Sequence, residues 1–169
     1  GISSSIYAAN TVTGTDSNAF GDNNTVSAAR STALGVGNTV SGENSVAAGY
    51  ANTVAGHHSV GIGDGSMAQG DTTVAIGWTA KATAENSNAY GAQAQASAKN
   101  ALAVGTNSQA SADSAVAVGN DSTVTGGSAV SIGASTTATG KWSTALGDSA
   151  NAAGEKSAAL SKDSYAKDD

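Results

Sequence analysis

The chain has no cysteine and no proline, one phenylalanine, two tryptophans and only 12% charged residues, and each scarcity removes a class of protein. Without cysteine there is neither a disulfide framework nor a thiolate metal site. Without proline, and with glycine lacking a three-residue period, collagen and polyproline architectures are out. Seven Lys and Arg against thirteen Asp and Glu give a net charge of −6. Scattered cations on an acidic chain do not build the clustered basic surface that nucleic acid needs, and they disfavour direct contact with an anionic membrane. No apolar run is long enough to span a bilayer as a helix.

What is present is Ala, Ser, Thr, Gly and Asn in abundance, a mixture that on composition alone suggests disorder or a linker. The order of the residues says otherwise. Gly21, Gly35, Gly49, Gly63, Gly77, Gly91, Gly105, Gly119, Gly133 and Gly147 are each fourteen residues from the next. Twelve coils of fourteen account for residues 1–168 without insertion or deletion, and numbering coil positions from residue 1 puts these glycines at position 7. Position 6 is usually bulky and apolar, as in Phe20, Leu34, Ile62, Ile76, Val104, Val118, Ile132 and Leu146; position 12 is Val or Ala throughout. Every charged residue falls outside positions 3–7, 10 and 12. A disordered chain has no reason to keep half of every repeat free of charge.

Positions 3–7 and 10–13 therefore read as two short strands separated by polar turns. Equivalent strands of successive coils stack in parallel about 4.8 Å apart, so twelve coils predict a rod roughly 53 Å long. Backbone groups find their partners in the coils above and below, which lets so polar a chain be ordered. Side chains alternate along a strand, so positions 3, 5 and 7 (Ser, Ala, Gly) share one face and positions 4 and 6 the other. The small set suits the narrow interior of a fourteen-residue coil. The bulky set, represented by Val74, Ile76, Leu102, Val104, Val116, Val118, Val130 and Ile132, then forms an outward apolar stripe that needs covering by further copies of the chain. The alternative places those residues inside the coil and leaves a monomer.

These repeats resemble the heads of trimeric autotransporter adhesins, the YadA-like family, whose repeat runs Asn-Ser-Val-Ala-Ile-Gly, two residues, then Ser. Asn44-Ser45-Val46-Ala47-Ala48-Gly49, Thr72-Thr73-Val74-Ala75-Ile76-Gly77 and Ser128-Ala129-Val130-Ser131-Ile132-Gly133 follow it, with the trailing Ser at Ser66, Ser108, Ser122 and Ser164. The resemblance implies an all-β, left-handed parallel β-roll assembled as a homotrimer, with the outward apolar stripe as the trimer interface. It further implies a bacterial surface protein of the outer membrane, involved in virulence, that binds collagen, fibronectin, laminin or a carcinoembryonic-antigen-related receptor. Residues 1–169 then form one head domain, with 155–169 a divergent last coil or the approach to a neck. Ser161 stands there in place of Gly, and Lys156, Lys162, Asp163, Lys167, Asp168 and Asp169 bring charge. Tyr7 takes the glycine position at the other end.

Ligand-binding candidates are side chains at the corners and on the outer strand. Position 8 carries Val36, Tyr50, Asp64 and Trp78 on consecutive coils, a stacked corner about 15 Å tall with two aromatics and a carboxylate. Arg30 and Trp142, both at position 2, are further candidates. All of these also fit plain corner packing. His57 and His58 are adjacent and have no third ligand near them in sequence, so no metal or cofactor is expected. Position 1 runs Asp71, Glu85, Lys99, Asp113, which predicts a cross-coil Glu85–Lys99 pair and a like-charge contact between Asp71 and Glu85.

Three other functions share features with this repeat. Acyltransferase β-helices have a six-residue period, and no catalytic constellation stands out, so no enzyme is expected. Ice-binding solenoids carry Thr-x-Thr ladders, as do Thr11 and Thr13, Thr123 and Thr125, Thr137 and Thr139, but Met67, Lys81, Gln95 and Gln109 break the ladder in mid-rod. A structural spacer in a surface fibre has the same repeat as an adhesive head.

Overall fold

A computed structural model describes residues 9–167. They wind as an all-β parallel solenoid of about eleven turns, with no helix among the described residues. One face is an eleven-stranded sheet running from Asn18–Asp22 to Ala158–Ala159; the other is a twelve-stranded sheet running from Thr11–Val12 to Tyr165–Ala166. Every pairing is parallel and offset by fourteen residues, as in Val74↔Asn88, Leu102↔Val116 and Thr39↔Thr53. Twelve coils were expected and about eleven turns are described; Ile6 and Tyr7 of the first coil, and Asp168 and Asp169, lie outside the described residues.

The interior is thin and made of small side chains. Positions 3, 5, 10 and 12 are buried in nearly every turn, and the largest fully buried side chains are Val26, Val40, Val54, Val124 and three asparagines. Positions 4 and 6 point outward, half-buried to exposed, so the stripe of bulky residues is on the outside of the coil. This decides between the two orientations left open by the sequence.

Two expectations need correction. The strands differ from positions 3–7 and 10–13: the second sheet uses only positions 11–12, and the first is shifted to 4–8 in its early turns and shortened to 4–6 or less after them. The glycine at position 7 is also not there to fit the interior. Its φ lies between +102° and +136°, and a Cβ on Gly77, for example, would fall 2.4 Å from the carbonyl oxygen of Gly91. Stacked backbones leave no room for a side chain there. Ser161, which departs from the pattern, is not among the residues with positive φ.

The corners are built from left-handed residues. At positions 2 and 9 every described turn has positive φ, mostly without glycine: Arg30, Asn44, His58 and Thr72 at one corner, Ala51, Thr79, Gln93 and Asn107 at the other. Such backbone costs energy for a side-chain-bearing residue and persists where neighbours over-determine it. Here the next coil supplies the constraint. The position-9 N–H donates to the position-8 carbonyl one coil back (Ala51 to Val36, Gly65 to Tyr50, Thr79 to Asp64), and the position-2 N–H donates to the position-1 carbonyl (His58 to Glu43, Thr72 to His57).

The corners change character half-way. In the first turns a buried asparagine ladder runs along position 10. Asn38 Oδ1 accepts from the Asn52 backbone N–H at 3.0 Å and from Asn52 Nδ2 at 2.9 Å, while Asn38 Nδ2 donates to Gly49 O at 3.0 Å and Leu34 O at 3.1 Å. A serine ladder does the same at position 3, where the N–H of Ser45 donates to Ser31 Oγ and that of Ser59 to Ser45 Oγ. From Ala80 and Ser87 onward most of these side chains are missing or turned to local carbonyls, Thr136 Oγ1 donating to Ser122 Oγ at 3.2 Å being an exception, and most of the same N–H groups donate locally, as Ala94 to Gly91 O and Ala101 to Ala98 O. Strand length follows the switch: Thr32–Val36, Val46–Tyr50 and Val60–Asp64 span five residues, whereas Val74–Ile76 and its successors span three or fewer. Replacing Asn38 with Ala strips an acceptor from two buried donors, so the Asn38→Ala variant is expected to lose about 2–4 kcal/mol in denaturant unfolding.

Candidate functional site

Position 8 is where the ladder section matters for recognition. Because the asparagines carry the strand one residue pair further, Val36, Tyr50 and Asp64 sit inside the sheet in register, Val36↔Tyr50 and Tyr50↔Asp64. Trp78 follows on the next coil, tied by the Thr79 N–H to Asp64 O bond at 2.8 Å. The four predicted residues therefore form one continuous exposed edge. Tyr50 is 58% exposed and Trp78 54%, high for rings of this size. Glycine flanks the edge at Gly49, Gly63, Gly65 and Gly77, so little else shields it.

The edge is also acidic. Positions 8 and 9 carry Asp22, Asp64, Asp121 and Asp148 before the first cation, Lys162, whose Nζ lies 4.0 Å from Asp148. Asp64 is exposed and meets no cation among the described residues.

The opposite edge, positions 1 and 2, largely neutralises itself. Arg30 donates to Asn44 Oδ1 at 2.7 Å and reaches Glu43 at 3.3 Å. The expected Glu85–Lys99 pair is present at 2.9 Å, and that hydrogen bond and charge raise the lysine above its ordinary value. Both partners are more than half exposed, so the pair contributes little to stability. Asp71 does not confront Glu85 through its ligated oxygen: its Oδ1 accepts the His57 backbone N–H at 2.9 Å. His58 Nε2 lies 3.4 Å from Asn44 Nδ2.

Arg30 and Trp142 are thus far from the position-8 edge, and the structure does not bring them to it. Trp142 is also less isolated than the sequence suggests. Lys141 Nζ sits 4.0 Å from its ring centroid and Lys156 Nζ 5.3 Å, while Lys156 also pairs with Glu155 at 3.1 Å. The signal for this was in the sequence, because residues 142 and 156 share position 2 of successive coils and 141 is next door.

On the twelve-stranded face the threonine column is interrupted in register, Thr53↔Met67, Met67↔Lys81, Lys81↔Gln95 and Gln95↔Gln109. No regular hydroxyl lattice runs the length of the rod. On the other face, Phe20 is 58% exposed and Leu146 46%, with Val74, Ile76, Leu102, Val104, Val116, Val118 and Val130 half-buried between them. No enclosed cavity is found among the described residues, so the surfaces available for recognition are edges and faces.

The model of the YadA head domain repeat matches the chain over residues 13–38, 41–66, 68–94, 89–108, 96–122, 125–150 and 138–160. The chain belongs to the YadA head family. It is a surface adhesin head domain built from that repeat, and the family is one of adhesins, not of enzymes. No curated protein matches the chain. In a YadA-type head the matched segments cover both the ladder section and the locally cornered section, so the repeat accommodates either way of turning a corner. The position-8 edge belongs to a corner where the repeat varies, with Asp22, Val36, Tyr50, Asp64, Trp78 and Ala92 on successive coils.

Proposed function

We propose that this chain is the head of a homotrimeric bacterial surface adhesin, displayed on the outer membrane, and that it binds a host protein. Residues 1–169 act as one head domain in this reading, a left-handed roll whose last coil, 155–169, leads toward a neck. Three copies turn their stripes inward, with Val74, Ile76, Leu102, Val104, Val116, Val118, Val130 and Ile132 at the shared contact. The observation that carries the reading is the outward direction of this stripe on a rod of adhesin-head repeats. A column of Val, Ile and Leu left in water is a large apolar patch, and covering it releases about 25 cal/mol per Å² of apolar area.

Assembly through one sheet leaves the corners and the twelve-stranded face for partners. Collagen, fibronectin, laminin and carcinoembryonic-antigen-related receptors are the host proteins to test. The contact residues are assigned first to Val36, Tyr50, Asp64 and Trp78, where exposed rings offer the large rigid surfaces that dominate binding energy. Arg30 and Trp142 form the second choice.

An array of those four host proteins probed with the chain tests this. At least one is expected to bind, and Tyr50→Ala and Trp78→Ala are each expected to weaken it by about tenfold or more. Full affinity in both variants would remove the position-8 edge from the account, and an array with no bound protein would favour a spacer.

A further inference from the structure

The notch between Tyr50 and Trp78 has a chemistry of its own. Tyr50, Asp64 and Trp78 occupy the same position on three successive coils, so the two aromatics are separated by two coil rises, about 9.6 Å, with the carboxylate between them. Asp64 is flanked by Gly63 and Gly65, and a Cβ on Gly65 would meet nothing closer than Thr79 Cγ2 at 3.5 Å. No side chain of Gly63 or Gly65 therefore covers Asp64 from its own coil. A group seated midway lies about 4.8 Å from the level of each ring, inside the roughly 6 Å over which a cation is attracted to an aromatic face.

The molecule also shows which kind of group an indole on this rod accepts. Trp142 is covered by two of the chain's own ammonium groups, at 4.0 and 5.3 Å. No such cation lies over Trp78 among the described residues, although a carboxylate stands one coil away. The edge around it carries Asp22, Asp64, Asp121 and Asp148, and its one cation, Lys162, lies six coils from Trp78 beside Asp148. Three carboxylates of the opposite edge, Glu43, Asp71 and Glu85, are already occupied by Arg30, the His57 N–H and Lys99.

We propose that the Tyr50–Asp64–Trp78 notch receives an arginine or lysine side chain of the protein that the head binds. The inference rests on the adhesin reading and names the chemistry of its partner at one point. The guanidinium or ammonium lies between the rings and pairs with Asp64, which supplies the opposite charge at a site where the rings exclude part of the water. Arginine is preferred, because its planar, weakly hydrated cation stacks on aromatic faces.

The test uses the full chain carrying Trp142→Phe, so that Trp78 is the sole indole, with circular dichroism confirming an unchanged fold. Short capped peptides containing one arginine, one lysine or one citrulline are titrated while Trp78 emission is followed. The arginine peptide is expected to give a saturable change with a Kd of about 1–10 mM, the lysine peptide a weaker one and the citrulline peptide none. Adding Asp64→Asn is expected to weaken arginine binding by at least about fivefold. An equal response to citrulline, no loss with Asp64→Asn, or no saturable response at all overturns the proposal. A host-protein array that binds while the peptides do not overturns this inference alone; peptides that bind while the array stays empty overturn the adhesin reading alone.

Discussion

Changing Gly105 to Ala is expected to cost more than about 3 kcal/mol and to abolish cooperative unfolding in the worst case, although alanine is the smallest side chain available. Gly105 has φ +125°, and its added Cβ would lie 2.4 Å from the carbonyl oxygen and 2.6 Å from the carbonyl carbon of Gly119. Neither atom can step aside without breaking the stack, since the Gly119 N–H donates to Val104 O at 2.7 Å. Sequence position matters more here than residue type. Gly37 also has positive φ, +68°, but a Cβ there meets only Ala51 backbone atoms at 4.0 Å. Asparagine already occupies the equivalent corner at Asn23 and Asn107, with φ of 55° and 56°. Gly37→Asn is therefore expected to change stability by no more than about 0.5 kcal/mol. Thermal or denaturant melts of the two variants side by side separate a glycine required by stacking from one that merely eases a turn.

Placing aspartate at both Val104 and Val118 is expected to convert the assembly to single chains. These residues are half-buried in one chain alone, on adjacent strands paired Val104↔Val118. In a trimer closed through this face, three copies bring six carboxylates toward a shared apolar contact. Each ion loses water without gaining a cation, a penalty of several kcal/mol per group. The circular dichroism of the variant should remain that of a β-solenoid, because positions 4 and 6 contribute little to the interior. Gln109→Glu, an exposed position on the twelve-stranded face, adds the same sign of charge and is expected to leave the assembly mass unchanged. Light scattering on both variants makes the comparison.

The fourteen-residue period and the parallel stacking were legible in the residues, because alternation and the confinement of charge report burial directly, while the direction of the bulky stripe was favoured outward and left open. The Glu85–Lys99 pair and the Val36–Tyr50–Asp64–Trp78 edge followed from the same bookkeeping of positions. What could not be read was backbone conformation. Thr72 and Thr79, β-branched residues that avoid left-handed φ, adopt it because the carbonyls of His57 and Asp64 hold their N–H groups from the coil before. Local propensity gives no hint of a constraint that arrives from fourteen residues away. The glycine at position 7 was misread for the same reason, since its crowding comes from stacked backbone and not from the interior. Asn24, Asn38 and Asn52 fell at the start of the expected strand at positions 10–13, yet they lie outside it, fully buried, and their ladder accompanies the longer strands that carry the candidate site. Lys156 was not linked to Trp142 because neighbours along the rod are fourteen residues apart in the chain, whereas Lys141 is its direct neighbour.

The mass of the native chain in dilute solution, measured by light scattering across a range of concentrations, tests most directly whether the outward stripe is covered by copies of itself. A constant value three times the chain mass of 16.1 kDa is expected. A constant value of one chain mass, with the solenoid spectrum intact, would contradict it.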